Sequence, residues 1–193
     1  MKITQNIRIL LAAFLCFPLF LTVSSCNSPS AKVEQQKAIA LKAVDGKTLL
    51  DIVARLSENI SQNHASVIEL TKAIETFSAS YKINYTGSSK TLNTGTDYLT
   101  IDLLKNEKDT TKVFLTSITL PQQLQKQLTF NNLKEKLGDW DKVPPNGRPM
   151  DLPTVVTTFS YQKAPRVSIM VQSQKLPELK DNVIEEIKLS LIE

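Results

Sequence analysis

Residues 99–103, Leu-Thr-Ile-Asp-Leu, alternate apolar with polar side chains, and this period of two predicts a β-strand with one apolar face. The same alternation occurs earlier, in residues 81–86, Tyr-Lys-Ile-Asn-Tyr-Thr. The β-branched segment 112–120 predicts a third strand, which ends at Pro121. Three successive strands with no helix between them indicate an antiparallel sheet.

The preceding region, residues 47–78, has the helical period instead. Its apolar residues recur every three or four positions in two sets, Leu49, Val53, Leu56 and Ile60, then Val67, Leu70, Ile74 and Phe77. The polar stretch 61–64 separates the sets, so the region forms either one long helix or two. We predict two helices packed on the sheet, because Asn63 would occupy a core position of a continuous coiled coil.

The order of helix and three strands recurs in the second half of the chain. Leu128, Leu133 and Leu137 predict a short helix, with Thr129 as its N-cap and Gly138 at its C-terminal cap. Three strand-like segments follow, at 155–161, 166–172 and 183–192. We therefore predict an α+β fold, a six-stranded antiparallel sheet covered on one face by helices. The repetition indicates two tandem helix-plus-three-strand modules, at about 47–120 and 129–192.

The first 26 residues have the parts of a bacterial export signal in order. Lys2 and Arg8 are basic, and residues 9–22 form an apolar run too short to span a bilayer. Val23-Ser24-Ser25-Cys26 then places small residues directly before a cysteine. In these features the chain resembles bacterial lipoproteins that are cleaved by the lipoprotein signal peptidase. The residues alone also allow an uncleaved anchor, or cleavage at another bond that leaves Cys26 a free thiol.

The lipoprotein resemblance implies that residues 1–25 are removed and that Cys26 carries the lipid. The mature protein would then be anchored in the bacterial cell envelope through three acyl chains. Asn27 follows the cysteine, where an aspartate would have resembled an inner-membrane retention signal, so we expect the outer membrane, facing the periplasm. Residues 26–46 would form the lipidated cysteine, a tether and a helical or frayed lead-in at 32–44. Residues 47–193 would form a single α+β domain.

Composition argues against several classes of function. Hydrophobic residues are 41% and charged residues 22%, as in globular proteins. The net charge of +4 includes Lys2 and Arg8, and so small an excess does not describe a nucleic-acid-binding protein. The single histidine, His64, has no second imidazole to complete a metal site, and the sequence has no nucleotide-binding or serine-hydrolase motif. We expect no cofactor, no metal and no enzymatic activity.

A proline-rich loop at 138–153 is the strongest candidate for protein recognition. It contains Trp140, Arg148 and Met150, and tryptophan and arginine dominate binding hot spots. Its prolines restrict the chain in advance and lower the entropy lost on binding. Tyr161 is a further candidate on an aromatic surface. The alternative is that Trp140 covers the sheet core and that Tyr161 packs at the core edge.

A second resemblance comes from the helix at 129–138, Thr-Phe-Asn-Asn-Leu-Lys-Glu-Lys-Leu-Gly, and the closing strand at 183–189, Val-Ile-Glu-Glu-Ile-Lys-Leu. Together they resemble one module of the β-lactamase-inhibitor-protein-like fold, which small lipoproteins of the outer-membrane β-barrel assembly machinery share. The resemblance implies a module that grips a protein with its sheet face and loops.

We therefore expect a lipid-anchored, non-enzymatic envelope module that binds a protein, as an inhibitor, an immunity protein or an assembly factor. One alternative is a structural accessory lipoprotein of a secretion or cell-wall complex. The other is a lipid or sugar carrier or enzyme, which would need a deep apolar cavity.

Overall fold

A computed structural model describes residues 40–86, 96–141, 154–177 and 182–192. They belong to one compact unit that runs from Ala38 to Glu193. Its helices are α1 (Gly46–Gln62), α2 (Val67–Ser78), α3 (Gln122–Gln125) and α4 (Phe130–Leu137). Its strands are β1 (Ile83–Tyr85), β2 (Leu99–Lys105), β3 (Val113–Thr119), β4 (Val155–Ser160), β5 (Val167–Ser173) and β6 (Ile184–Leu191). The predicted α+β class is confirmed.

The six strands form one sheet in the order β1-β2-β3-β6-β5-β4. The last strands of the two halves, β3 and β6, pair antiparallel at its centre. The prediction of a wholly antiparallel sheet is wrong at one edge, where β1 pairs parallel with β2. The thirteen residues between Tyr85 and Leu99 account for this difference, because a segment of that length can carry the chain back for a parallel pairing.

The two-helix prediction for residues 47–78 is confirmed, and local backbone geometry explains both ends of α1. The Asp45 side chain accepts a hydrogen bond from the Thr48 N–H at 2.7 Å, which caps the helix start. This bond also holds the pKa of Asp45 below its ordinary value. After α1, His64 and Ala65 adopt positive φ angles of 49° and 56°, which breaks the helix and redirects the chain into α2.

Helix α4 begins and ends at the residues that the sequence indicates. The Thr129 hydroxyl oxygen accepts from the Asn132 N–H at 3.3 Å, and the Asn132 Oδ1 accepts from the Thr129 N–H at 3.1 Å. These two bonds form a capping box. Gly138 ends the helix at φ 99°, a conformation that favours glycine.

The chain before α1 differs from its predicted structure. Residues 40–44 are not helical, and Lys42 instead forms a parallel bridge with Tyr81 beside β1. The Lys82 N–H donates to the Lys42 carbonyl at 2.8 Å, so pairing with the sheet edge takes precedence over local helix propensity. The lead-in, predicted as helical or frayed, is therefore not helical at residues 40–44, and its remainder, Cys26 and residues 1–25 lie outside the described residues.

One apolar cluster lies between the helices and one face of the sheet. Its fully buried members include Leu49, Leu56 and Ile60 from α1, Leu70 and Ile74 from α2, and Ile101, Ile118, Phe159, Ile169, Val171, Ile187 and Leu189 from the sheet. Burying each such side chain stabilises the fold by about 1.5–3 kcal/mol. Within the described part of the chain, no helix is both long and apolar enough to cross a bilayer.

Candidate functional site

Of the sequence-predicted site residues, Trp140 and Tyr161 fall within the described chain, whereas Cys26, Arg148 and Met150 lie outside it. Trp140 follows α4 and forms an isolated antiparallel bridge with Phe159 of the edge strand β4. The next residue, Asp141, also pairs with β4, because its N–H donates to the Thr158 carbonyl at 2.8 Å. The first part of the predicted recognition loop is therefore attached to the sheet edge.

The Trp140 side chain packs in an aromatic cluster with Phe130 and Phe159. Its ring centroid lies 5.9 Å from that of Phe130 and 6.0 Å from that of Phe159, both in edge-to-face geometry. The Lys134 ammonium lies 5.6 Å from the indole centroid, within range of a cation–π interaction. Trp140 is half-buried against the core. The alternative role predicted from the sequence, in which Trp140 covers the sheet core, is therefore present in the structure.

Tyr161 lies in the core rather than on an aromatic surface. It is 6% exposed, and its hydroxyl donates to Glu58 Oε1 of α1 at 3.1 Å. Burial, followed by the bond to Glu58, raises the pKa of Tyr161 above its ordinary value. Tyr161 therefore has little accessible surface in the chain as described, and its role in partner binding stays a prediction.

The other titratable groups singled out in the sequence have separate surroundings in the described residues. His64 is exposed in the turn between α1 and α2. Glu185 accepts from Gln174 Nε2 at 2.8 Å, whereas Glu186 pairs with Lys188, so these adjacent carboxylates have separate partners. In the described ranges no group of three or more histidine, cysteine or acidic residues could hold a metal ion.

Two open grooves lie on the helical side, and most of their lining residues are polar or charged. The first, of about 410 Å³, lies between α1 and α2 and is lined by residues that include Asp51, Arg55, Asn59, Glu69 and Lys72. The second, of about 510 Å³, lies between α1 and α4 and is lined by residues that include Lys47, Gln127, Asn132, Glu135 and Lys136. Neither groove is the deep apolar cavity that a lipid carrier needs.

The sheet face opposite the helices is the most extensive candidate surface. We call it the open face and define it by the strand positions that alternate with the buried ones. Its members are Thr100, Asp102 and Leu104 of β2, Leu115, Ser117 and Thr119 of β3, Val156, Thr158 and Ser160 of β4, Ser168, Met170 and Gln172 of β5, and Glu186, Lys188 and Ser190 of β6. Apart from Ser117, all these residues are exposed or half-exposed.

Strand register aligns these side chains in rows across the sheet. The central row contains Asp102, Ser117, Lys188, Met170 and Thr158, each in register with the next. Side chains opposite each other on neighbouring strands have Cβ atoms about 4.5–5.5 Å apart. Residues that are far apart in the sequence therefore form one continuous surface.

A polar network lies at the centre of the open face. The Ser117 hydroxyl donates to Glu186 Oε1, and Lys188 Nζ lies 2.9 Å from Glu186 Oε2. Glu186 is thus held by partners on two adjacent central strands, and Ser117 is only 7% exposed. These contacts restrict the side chains in advance, which reduces the entropy that binding would cost.

The second resemblance implied a gripping sheet face, but the residues that form the open face were not identified from the sequence. The available signal was the polar half of each alternating strand, such as Lys188 and Ser190 between Ile187 and Leu189. That signal becomes a surface only once strand order and the side covered by the helices are known. No family model, curated protein or solved structure matches the chain.

Proposed function

We propose that this chain is a lipid-anchored, non-enzymatic module of the bacterial envelope that binds a protein partner through the open face. The observation that carries the proposal is the division of the sheet. The helices cover one face, and the described elements leave the other uncovered from β2 to β4. A large, ordered and uncovered surface is what a binding module needs, whereas an enzyme needs a concave site.

The dimensions of the open face favour a macromolecular partner. Five strands about 4.8 Å apart span about 19 Å, and seven residues extend about 23 Å along a strand. The resulting area of about 400 Å² is about half of what one partner contributes to a standard protein–protein interface. The loops that border the sheet would supply the remainder, in agreement with the sequence-based candidate loop at 138–153.

The chemistry of the open face favours a partner that binds and releases. Serine, threonine and charged residues predominate, with Leu104, Leu115, Val156 and Met170 as its apolar members. Interfaces of proteins that also exist apart are about as polar as the rest of the surface, whereas permanent interfaces are more apolar. An inhibitor, an immunity protein or an assembly factor fits this description.

Photo-crosslinking in living cells tests the binding surface. A photoreactive amino acid replaces Met170 or Gln172 on the open face, and Glu135 on the exposed side of α4 in the control. We expect both open-face positions to give adducts of the same mass, and Glu135 to give none of that mass. Adducts from position 135 without adducts from positions 170 and 172 would contradict the proposal.

The anchor is tested separately. Lipid attachment at Cys26 predicts that mass spectrometry of membrane-extracted protein finds a mature N-terminus at this residue with acyl groups attached. Cys26→Ala should remain as an unlipidated precursor, whereas Asn27→Ala, next to it, should be processed normally. A mature N-terminus at any other residue, or the absence of acyl mass, would overturn the lipoprotein assignment.

A further inference from the structure

Exposed apolar side chains are concentrated at one end of the sheet. We call it the turn end; it comprises the turn regions 105–112 and 161–166, the first turn of α2 and the C-terminal end of β6. Four of the six large apolar residues that are exposed in the described chain lie there, namely Ile68 (64%), Leu104 (47%), Phe114 (65%) and Ile192 (52%). Clusters of this kind mark interaction surfaces.

Backbone contacts hold these residues at the same end. The Val67 N–H, next to Ile68, donates to the Thr111 carbonyl at 2.9 Å, and the Ile192 N–H donates to the Arg166 carbonyl at 2.7 Å. Leu104 is in register with Leu115, and Lys105 is in register with Val113. Phe114 is therefore the extra residue of a β-bulge in β3, and the bulge interrupts the pairing of β3 with β2.

The turn end is also basic. Its two turn regions contain Lys105, Lys108, Lys112, Lys163 and Arg166, against Glu107 and Asp109, and the first turn of α2 adds Glu69. Lys112 lies 3.8 Å from Asp109, and both side chains are largely exposed. Exposed apolar side chains beside an excess of cations are the combination that binds the interfacial region of anionic bilayers.

We propose that the turn end docks on an anionic phospholipid surface, with Phe114, Leu104 and Ile192 inserted at the headgroup boundary and the lysines against the phosphates. This inference depends on the proposed function, because the lipid on Cys26 would hold the domain at a membrane. Docking through the end of the strands orients the open face perpendicular to the bilayer, so the rest of the face, beyond Leu104, stays accessible to a partner.

The length of chain before the domain permits this arrangement. Ala40 lies near the opposite end of the sheet, because Lys42 pairs with Tyr81 just before β1. Thirteen residues separate Cys26 from Ala40, and such a segment spans at most about 45 Å. An eight-residue strand such as β6 is about 26 Å long. The anchor and the turn end can therefore meet the same bilayer.

The test uses the full lipid-anchored protein in vesicles of phosphatidylethanolamine and phosphatidylglycerol. A polarity-sensitive fluorophore on Thr110→Cys reports the turn end, and the same probe on Lys175→Cys reports the opposite end. We expect a blue shift and several-fold stronger quenching by lipid-attached quenchers at position 110 than at position 175. Phe114→Ser should abolish the difference, whereas Leu176→Ser, also exposed but at the opposite end, should not.

Charge provides a second readout. Lys105→Gln and Lys163→Gln should each lower the docking equilibrium constant about fivefold, and neutral phosphatidylcholine vesicles should give little blue shift.

If the protein floats with the vesicles while the probe at position 110 stays in water, the docking inference is wrong and the anchor stands. If the protein does not float, the anchor has failed. Protection of position 110 only in native membranes, not in pure lipid, would indicate a protein at this end and overturn the inference.

Discussion

The two faces of the sheet are built by the same strands but differ in what fixes their side chains. In β5, Val167, Ile169 and Val171 are almost fully buried under the helices. The alternating residues, such as Met170 and Gln172, are half-exposed on the open face. On the covered face, close packing with many neighbours fixes the side chains; on the open face, cross-strand pairs such as Glu186 with Ser117 do so.

This difference separates stability from binding. Removing atoms from the covered face leaves a cavity, whereas removing them from the open face leaves a gap that water fills. Substitutions on the covered face should therefore change the free energy of unfolding, and substitutions on the open face should change partner binding.

The sharpest contrast comes from two adjacent residues of β6. Ile187 is fully buried at the centre of the sheet, and Ile187→Ala should lower the free energy of unfolding by about 3–4 kcal/mol. Lys188 lies on the open face with its side chain 33% exposed, and Lys188→Ala should cost less than about 1 kcal/mol. Urea unfolding measures the free energy of unfolding of both variants. Equal losses of stability would show that the open face is packed as closely as the covered face.

Trp140 tests the edge of the covered face. Its contacts with Phe130 and Phe159 predict that Trp140→Ala lowers the free energy of unfolding by about 2 kcal/mol, because the side chain is only half-buried. Trp140→Phe keeps an aromatic ring and should recover about half of the loss. Unchanged thermal unfolding of Trp140→Ala, together with weaker partner binding, would contradict the packing role and support Trp140 as a recognition residue.

The N-cap of α1 gives a smaller and pH-dependent effect. Asp45→Ala should cost about 1 kcal/mol at pH 7, because the Thr48 N–H loses its acceptor. The pKa of Asp45 is lowered in the folded chain, so the charged cap stabilises fully above the unfolded-state pKa of about 3.9. This contribution is lost as the pH falls through the lower folded-state pKa. Denaturant titrations at pH 7 and pH 3 should show the cost of Asp45→Ala shrinking; a constant cost would contradict the charged cap.

The smallest expected effect is a gain in stability on the covered face. The Thr116 hydroxyl is fully buried and has no hydrogen-bond partner among the described residues. Thr116→Val removes the unsatisfied group at similar shape, so it should raise the free energy of unfolding by about 0.5–1 kcal/mol. Thr119→Val on the exposed side of the same strand is the matched control and should have almost no effect. A loss of stability in Thr116→Val would mean that the hydroxyl has a partner.

Most helices and strands were predictable from local sequence patterns, because hydrophobic periodicity and helix caps depend on residues close together in the sequence. The spacing of Leu49, Leu56 and Ile60 placed these residues on the buried face of α1, and Thr129 and Gly138 marked the ends of α4. Alternation in residues 99–103 likewise placed β2 and its buried face.

Features that depend on distant parts of the chain were not predictable in the same way. The pairing of Lys42 beside β1 and the bond from Tyr161 to Glu58 each join residues far apart in the sequence. The parallel pairing of β1 depends on the path of a connection that has no periodic signal. The residues of the open face were not predictable for the same reason, since its rows form only when five strands lie in order and register.

Cysteine accessibility along β5 tests the central claim most directly. Single cysteines replace Ile169, Met170, Val171 and Gln172 in turn, and a small maleimide labels them in the purified full-length protein and in intact cell envelopes, with the parent chain as background. In the purified protein we predict rapid labelling at positions 170 and 172, and labelling at least about a hundredfold slower at 169 and 171, which react only through local unfolding. In envelopes, a bound partner should protect positions 170 and 172 as well. Slow labelling of all four positions in the purified protein, or equal labelling of 170 and 172 in both preparations, would contradict an uncovered face that binds a partner.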